Sequence, residues 1–293
     1  MQAIIVIGMH RSGTSLLVKI LQELGVFMGM DLEHNSESKF FIEVNEWMLN
    51  QAGASWVNPE NFNYIPGDFK ATMVDIIDGR IKSSKRRKYL GRHNSSKYRS
   101  IKDLDFSWGW KDPRNTFTYD IWKEIFPQAK IIHIHRNPVD VVSSLMKREE
   151  ALASTFAGNP LYRRVKKLVF AQKLPSHRIL YHPFRCVDAH GTFELWKEYV
   201  AKALEVTSGK NVESLQLSFE GLLEMPETAI KQIADFCSLK TETNHQDFIS
   251  RLIDGSRKYA FVNDEKLVTF YNQIKNDEQV LALGYGNILK ERA

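Results

Sequence analysis

The segment from residue 3 to residue 17 reads AIIVIGMHRSGTSLL. Its first five residues are a short apolar run rich in β-branched side chains, which predicts a buried β-strand. Gly8 and Gly13 then enclose a loop, and the paired leucines that follow open a helical pattern. A strand, a glycine loop and a helix in this order direct backbone N–H groups and a helix N-terminus at an anion. The segment therefore predicts a binding site for a phosphate-like group.

The lysine of a P-loop is missing from this loop, although the spacing of its two glycines matches that motif. Thr14 occupies the lysine position, and the nearest cation is Arg11, inside the loop. Enzymes that act on ATP or GTP use this lysine on the β- and γ-phosphates. We therefore expect a different phosphate compound as the ligand. An ordinary strand-to-helix turn of small residues is the alternative interpretation.

The composition favours a globular, cytoplasmic protein. A content of 43% hydrophobic and 11% aromatic residues in 293 positions is ample for a core, and the net charge of +5 suggests an anionic ligand or partner. Cys186 and Cys237 are far apart and in no metal-ligand or redox spacing, which predicts free thiols in a reducing compartment. The sequence shows no signal-peptide pattern and no apolar run near the roughly 20 residues that span a bilayer.

Strands and helices alternate along the rest of the chain. Further strands are predicted at Phe106–Lys111, Lys130–His135 and Val212–Leu217. Helical spacing is predicted over residues 16–24, 40–52, 68–81, 116–126, 139–151, 192–207, 226–236 and 266–274. This alternation predicts an α/β fold of three layers, with helices on both faces of a central parallel sheet. We find no internal repeat and no long polar linker, so we expect one domain over residues 1–293.

Residues 79–102 form the most biased segment, with ten lysine and arginine residues and no acidic residue. Because the whole chain has a net charge of +5, the basic character is local. A solvated, mobile insertion is the ordinary interpretation of such a run. A surface for an acidic acceptor, such as a glycan, or for nucleic acid is the functional alternative. Tyr89 and Tyr98 offer little stacking surface for bases, so we expect no nucleic-acid partner.

Three cations lie at the end of a predicted strand or shortly after it: Arg11, Lys111 and Arg136. In open parallel sheets, ligands bind at the carboxyl ends of the strands, so we expect these side chains to converge. Ser144 lies one to two turns into the helix after Arg136, and the guanidinium fork suits a phosphate group. The sequence therefore predicts a nucleotide that carries phosphates at two places.

Two of these motifs resemble those of the sulfotransferases that use 3′-phosphoadenosine 5′-phosphosulfate (PAPS). Residues 10–16, HRSGTSL, resemble the family's loop for the 5′-phosphosulfate. Residues 131–144, IIHIHRNPVDVVSS, resemble its 3′-phosphate motif, with Arg and Ser eight residues apart. Residues 217–226, LSFEGLLEMP, are similar to a segment found late in these enzymes. The resemblance implies a P-loop-like fold and sulfuryl transfer from PAPS to an acceptor hydroxyl, with adenosine 3′,5′-bisphosphate (PAP) as the product and no metal.

The resemblance also implies roles for single residues. Arg11 matches the residue that contacts the sulfuryl group, and Lys111 is similar to a lysine that faces the reacting centre. The late basic loop of the family corresponds to Arg257 and Lys258, although Tyr259 stands where glycine is common. The residues that match the 5′-phosphate cradle are Ser12, Gly13, Thr14 and Ser15, and those that match the 3′-phosphate ligands are Arg136 and Ser144.

The catalytic base is expected from an earlier segment. Asp112 and Pro113 follow Lys111, where the cytosolic animal branch has a histidine base. The sequence is thus more similar to the bacterial and tyrosylprotein-type branches, in which a glutamate is the expected base. Glu43 fits that pattern, with Glu46 and His34 as alternatives.

The acceptor is not evident from the sequence. The basic segment favours an acidic acceptor, such as a carbohydrate or a glycolipid head group, while phenols, alcohols and tyrosine side chains stay open. Two competing functions also stay open: a P-loop kinase or NTPase, and a non-catalytic protein that binds nucleotides or polyanions.

Overall fold

The computed structural model describes residues 2–158, 160–172, 184–240 and 252–289. At its centre lies a sheet of four parallel strands in the order β2-β1-β3-β4. The strands are β1 (Ala3–Ile7), β2 (Trp108–Lys111), β3 (Lys130–His135) and β4 (Ser214–Ser218). The predicted parallel sheet flanked by helices is thereby confirmed, and only the bounds of β2 and β4 differ, by up to two residues.

The α-helices of the described residues follow the predicted pattern closely. They are α1 (Thr14–Glu23), α2 (Lys39–Gln51), α3 (Gly67–Lys82), α4 (Arg87–Lys97), α5 (Asn115–Ile125), α6 (Pro138–Gly158), α7 (Pro160–Gln172), α8 (Ala189–Thr207), α9 (Phe219–Glu224), α10 (Pro226–Cys237), α11 (Glu265–Ile274) and α12 (Glu278–Ala282). Each helix predicted from apolar spacing is present. Helix α4 lies inside the basic segment, where no helix was expected.

Both faces of the sheet are buried, because alternate residues of a strand point to opposite faces. On one face, Ile5 belongs to a core that includes the Phe41 and Trp110 rings, which stack at 4.1 Å between centroids. On the other face, Ile4 packs in a second core with Leu17 of α1. Burial on both faces explains why β1 reads as an unbroken apolar run.

The strand register brings the carboxyl ends of the strands to one edge. Val6 lies beside Lys111, and Ile7 lies beside His133, two residues before the end of β3. The residues that follow β1 and β3 therefore start from the same edge as the end of β2. This edge is where the sequence predicts that the ligand binds.

The basic segment 79–102 is part of the folded body of the protein. Tyr89, Leu90 and Ile101 within it are buried in the core. The Tyr89 hydroxyl donates a hydrogen bond to the Gly109 carbonyl of β2 at 2.7 Å. Through these buried contacts, part of the segment packs into the core.

No helix among the described residues has both the length and the apolar character that crossing a membrane requires.

Candidate active site

The loop after β1 has a backbone that only particular residues tolerate. Gly8 and Gly13 have φ angles of 135° and 93°, and a Cβ atom on Gly13 would lie 2.3 Å from the Phe219 ring. A Cβ atom on Gly8 would lie 2.3 Å from the carbonyl oxygen of Ile134 in β3. Glycine is therefore required at both ends of the loop, by positive φ and by close approach.

Helix α1 begins at Thr14, directly after this loop, and no side chain caps its N-terminus. The first N–H groups of a helix have no intrahelical partner and favour an anion. Gly13, Thr14 and Ser15 all line the same cavity, so these N–H groups are available there. The Ser15 hydroxyl donates to the Asn35 carbonyl at 2.7 Å. The backbone N–H group of Ser15 is therefore the donor that this residue offers to the cavity.

This cavity has a volume of about 740 Å³, a size typical of small-molecule sites. It collects residues from all three predicted motifs. The predicted site residues that line it are Arg11, Gly13, Thr14, Ser15, Lys111, Arg136, Ser144 and Arg257. Ser12, which is fully buried, and Lys258 are not among its lining residues.

Arg136 lies at one end of the cavity and is held on several sides. Its Nη2 atom donates to the Arg257 carbonyl at 2.9 Å and lies 3.2 Å from an Asp140 carboxylate oxygen. Its guanidinium carbon lies 4.5 Å from the centroid of the Phe219 ring. Its Nε atom is buried and has no hydrogen-bond partner among the described residues. A buried charged donor without a partner is costly, so an acceptor atom at this nitrogen would stabilise the guanidinium.

Arg11 lies between the two phosphate motifs. Its Nε atom donates to the Ser144 hydroxyl at 2.8 Å, so the loop after β1 and helix α6 are in direct contact. Desolvation and the nearby guanidinium groups of Arg148, Arg136 and Arg257 lower the pKa of Arg11. The four arginines therefore create a strongly positive field, which an anionic ligand would neutralise.

The late basic loop reaches the cavity through Arg257, in a short 3₁₀ helix of residues Gly255–Arg257. Tyr259 has a φ angle of 50° and ψ of 42°, the left-handed conformation that glycine adopts easily. The tyrosine thus takes the backbone shape expected of the glycine it replaces. Lys258 instead forms an ion pair with Glu224, at 2.7 Å.

Lys111 and Glu37 form a buried ion pair in the cavity wall. The Lys111 Nζ atom lies 2.8 Å from a Glu37 carboxylate oxygen and donates to the Asn35 carbonyl at 2.9 Å. Burial raises the pKa of Glu37, although the charge of Lys111 acts in the opposite direction. A carboxylate and an ammonium group thus lie side by side at the carboxyl end of β2.

The structure does not bring the predicted base, Glu43, to the cavity. Glu43 lies on α2 and forms ion pairs with Arg80 and Lys88 of the basic segment. Its helix face is turned toward α3 and α4, which the sequence pattern alone did not reveal. Glu43 therefore lies outside the cavity, whereas Glu37 lines it.

The two alternative bases lie elsewhere as well. Glu46 pairs with the buried Arg114 at 2.9 Å, and His34 is exposed and does not line the cavity. Sequence reasoning missed Glu37 because residues 31–38 have the polar, turn-like composition of a surface loop. The signal that could have drawn attention to it is the position of a glutamate just before a helix.

A second wall of the cavity contains the His10 ring and the cationic side chain of Arg148. The His10 and Trp56 rings lie 4.6 Å apart between centroids, and the Arg148 guanidinium lies 5.0 Å from the Trp56 ring centroid. Desolvation, followed by the charges of nearby cations including Arg148 and Lys111, lowers the pKa of His10 well below its usual value. His10 is therefore a neutral ring, available for hydrogen bonding rather than for holding charge.

Within the described ranges, no group of three or more histidine, cysteine, aspartate or glutamate side chains is placed to hold a metal ion.

A family model described as "Sulfotransferase family" matches residues 3–243 of the chain. Among solved structures, the sulfotransferase domain from the curacin biosynthetic pathway is 14% identical, with a TM-score of 0.46 over 93% of this chain and 97% of that chain. A sulfotransferase from Alicyclobacillus acidocaldarius is 15% identical, with a TM-score of 0.43 over 90% and 96%. A mouse sulfotransferase complexed with PAP is 14% identical, with a TM-score of 0.43 over 99% and 88%. No curated protein matched the sequence.

Proposed function

The chain belongs to the sulfotransferase family, and on that premise we propose that it transfers a sulfuryl group from PAPS to an acceptor hydroxyl. The observation that carries the proposal is the unpartnered, buried Nε atom of Arg136, in the same cavity as Arg11 and the uncapped N-terminus of α1. Two anion sites in one cavity fit a nucleotide with phosphates at two places, whereas a single phosphate would leave one of them empty.

We assign the two ends of the donor to these two sites. The 5′-phosphosulfate binds to the N–H groups at residues 13–15 and to Arg11, where the helix dipole favours negative charge. The 3′-phosphate binds to Arg136, Ser144 and Arg257. The buried Phe219 ring contacts both Gly13 and the Arg136 guanidinium, which fixes the two sites relative to each other.

The transfer is an in-line displacement at sulfur. The acceptor oxygen forms a bond to sulfur while the bond from sulfur to the bridging phosphate oxygen breaks, and PAP leaves with that electron pair. Negative charge grows on the leaving oxygen, so fixed cations supply the main stabilisation. Arg11 and Lys111 are the cations that line the cavity next to the helix N-terminus.

We assign the general base to Glu37. Its carboxylate is buried, lines the cavity and lies 2.8 Å from the Lys111 ammonium. The raised pKa of Glu37 makes it a stronger base than an exposed glutamate. The acceptor proton passes to this carboxylate as the oxygen attacks, while Lys111 keeps the carboxylate oriented.

We propose a carbohydrate or a glycolipid head group as the acceptor. Lys147 and Arg148 of α6 line the cavity together with His10, so the wall offers cations and a neutral hydrogen-bonding ring. Such a wall attracts acidic, hydroxyl-rich acceptors. Transfer of labelled sulfate to an acidic polysaccharide, a neutral polysaccharide, a phenol and a tyrosine peptide tests this assignment. Preference for the phenol or the peptide would contradict it.

A calorimetric titration tests the donor assignment. We expect PAP to bind far more tightly than ATP or GTP, because only PAP carries a phosphate at the 3′ position. Equal binding of the three would instead favour a general nucleotide-binding protein. We also expect sulfuryl transfer to persist in the presence of a chelator, because the proposed chemistry uses only side chains and backbone N–H groups.

A further inference from the structure

Asp140 makes contacts with two separate parts of the chain. It lies in the first turn of α6, is buried, and lines the cavity. One carboxylate oxygen lies 3.2 Å from Nη2 of Arg136. Its two oxygens accept hydrogen bonds from the backbone N–H groups of Ala260, at 3.2 Å, and Phe261, at 2.9 Å. Asp140 therefore binds Arg136 and the chain just after Arg257 at once.

A second buried acid reinforces this contact. One oxygen of Glu220 accepts hydrogen bonds from the backbone and side-chain nitrogens of Asn137, at 3.0 and 2.8 Å. The Asn137 side chain in turn donates to Asp140 at 2.8 Å. The other oxygen of Glu220 accepts from the Tyr285 hydroxyl at 2.8 Å. Hydrogen bonds thus run from Tyr285 through Glu220 and Asn137 to Asp140.

We propose that Asp140 is a positioning residue that sets the spacing between Arg136 and Arg257 so that both contact one 3′-phosphate. Arg136 comes from the end of β3, whereas Arg257 lies beyond residue 243, where the matched family model ends. The backbone bonds of Asp140 to Ala260 and Phe261 hold the later segment in register with the earlier one. Asp140 itself contacts no phosphate, because its charge has the same sign as the ligand.

The inference rests on the proposed function for its ligand, since it assumes that the 3′-phosphate binds at Arg136. It also predicts a property of the empty protein. An amide in place of the Asp140 carboxylate has one oxygen instead of two, so one of the Ala260 and Phe261 N–H groups loses its acceptor, and the segment that carries Arg257 opens more often.

The experiment compares the full-length wild type with Asp140→Asn, which keeps the size of the side chain and removes its charge. Calorimetry measures the affinity for PAP and for adenosine 5′-phosphate, which lacks the 3′-phosphate. We expect the preference for PAP to fall by roughly tenfold or more, as for the loss of a charge-assisted contact, with little change for adenosine 5′-phosphate. Equal weakening of both nucleotides, or an unchanged preference, overturns the inference.

Asp264→Asn is the matched control. Asp264 also accepts two backbone N–H groups, those of Lys266 and Leu267, but it does not line the cavity. We expect its preference for PAP to equal that of the wild type. If Asp140→Asn fails to fold, Tyr285→Phe replaces it, because this variant removes only the hydroxyl, which hydrogen-bonds Glu220 and the His135 ring. We expect a smaller fall in the same preference, and no fall overturns the inference.

Hydrogen exchange separates this inference from the proposed function. We expect faster exchange at the Ala260 and Phe261 amides of Asp140→Asn, whatever the ligand. If the wild type does not distinguish the two nucleotides, the donor assignment fails, and the exchange then decides whether Asp140 fastens the segment. Unchanged exchange at both amides overturns that fastening role.

Discussion

Glu37 and Glu43 are six residues apart in the chain and lie in opposite surroundings. Glu37 is buried beside Lys111 in the cavity wall. Glu43 is partly exposed and forms ion pairs with Arg80 and Lys88. A carboxylate with two cationic partners on the surface is a structural ion pair, whereas a buried one that faces a cavity is suited to proton transfer.

Replacing Glu37 tests the base at the scale of one side chain. We expect Glu37→Gln to lower kcat by about 10²–10⁴-fold, as for the loss of a general base, with the affinity for PAP nearly unchanged. The base acts as a carboxylate, so activity of the wild type falls as the pH drops through the raised pKa of Glu37. This fall begins at a higher pH than for an ordinary glutamate, and a pH profile of kcat/KM measures it.

Glu43→Gln is the control for this variant, because it removes a carboxylate from α2 without touching the cavity. We expect wild-type kcat and a small loss of stability from the ion pairs with Arg80 and Lys88. A large loss of kcat in Glu43→Gln together with normal turnover in Glu37→Gln would return the role to Glu43.

Replacing Arg136 tests the 3′-phosphate site. We expect Arg136→Ala to weaken PAP by roughly 10–100-fold and to weaken adenosine 5′-phosphate much less, because charge-assisted hydrogen bonds contribute about 1.5–3 kcal/mol. Isothermal titration of both nucleotides gives the ratio. An equal loss for both would show that Arg136 does not contact the 3′-phosphate.

The sequence predicted which cations lie at the cavity but did not predict that Glu37 lies there too. Arg11, Lys111 and Arg136 each lie at the end of a strand or shortly after it, so the topology of a parallel sheet alone places them at one edge. Glu37 depends on a long-range pair with Lys111. Asp140 depends likewise on contacts with the distant residues Ala260 and Phe261. Local patterns contain no information on such pairs between distant segments.

The unit formed by β1, the loop and α1 depends on the space at Gly13. We expect Gly13→Ala to abolish nucleotide binding, because its Cβ atom would lie 2.3 Å from the Phe219 ring and the φ angle of 93° disfavours alanine. The strain of positive φ costs about 1–2 kcal/mol, and the displaced ring adds about 1–3 kcal/mol. Urea unfolding and calorimetry with PAP measure the two effects.

Gly25→Ala is the matched control at the other end of α1. Gly25 has a φ angle of 84°, but nothing lies within 4 Å of the place of its Cβ atom. We expect only the strain of positive φ and unchanged nucleotide binding. Equal effects of the two substitutions would show that crowding at Phe219 is unimportant.

The elements themselves were largely predictable, since their signals are local. The apolar runs gave the strands within two residues, and the helical spacing gave eight of the twelve α-helices that the structure describes. The basic segment shows how a helix can be missed: its charges dominate the composition, while buried apolar side chains anchor it in the core. Those side chains are Ile81, Tyr89, Leu90, Tyr98 and Ile101. Five buried side chains among ten cations are a weak pattern, and only the surface that they pack against reveals them.

Across the whole molecule, buried histidines link stability to pH. Burial lowers the pKa of His133 to about 3 and that of His135 to about 4. Below pH 6.5 the unfolded chain binds protons that the folded chain excludes, so these groups make stability fall as the pH decreases. Glu37 and Glu220, whose pKa values are raised by burial, act in the opposite direction above about pH 4.5.

We therefore expect a difference between the wild type and His133→Leu. Between pH 4.5 and 6.5 the free energy of unfolding of the wild type should fall more steeply than that of the variant. The difference between the two slopes of unfolding free energy against pH should approach about 1.4 kcal/mol per pH unit, the value for one proton. Urea unfolding at several pH values measures the two slopes, and parallel curves would contradict the assignment.

The Phe219 ring lines the cavity and contacts residues of both proposed anion sites. It packs against Gly13, and the Arg136 guanidinium carbon lies 4.5 Å from its centroid. Because an aromatic ring is rigid and the surrounding core is close-packed, the ring keeps the distance between the two proposed anion sites fixed. An isomer of PAP with the phosphate on the 2′ oxygen has the same charge and the same atoms. The distance between its two phosphates differs from that in PAP. On the proposed donor assignment, we therefore expect this isomer to bind more weakly than PAP.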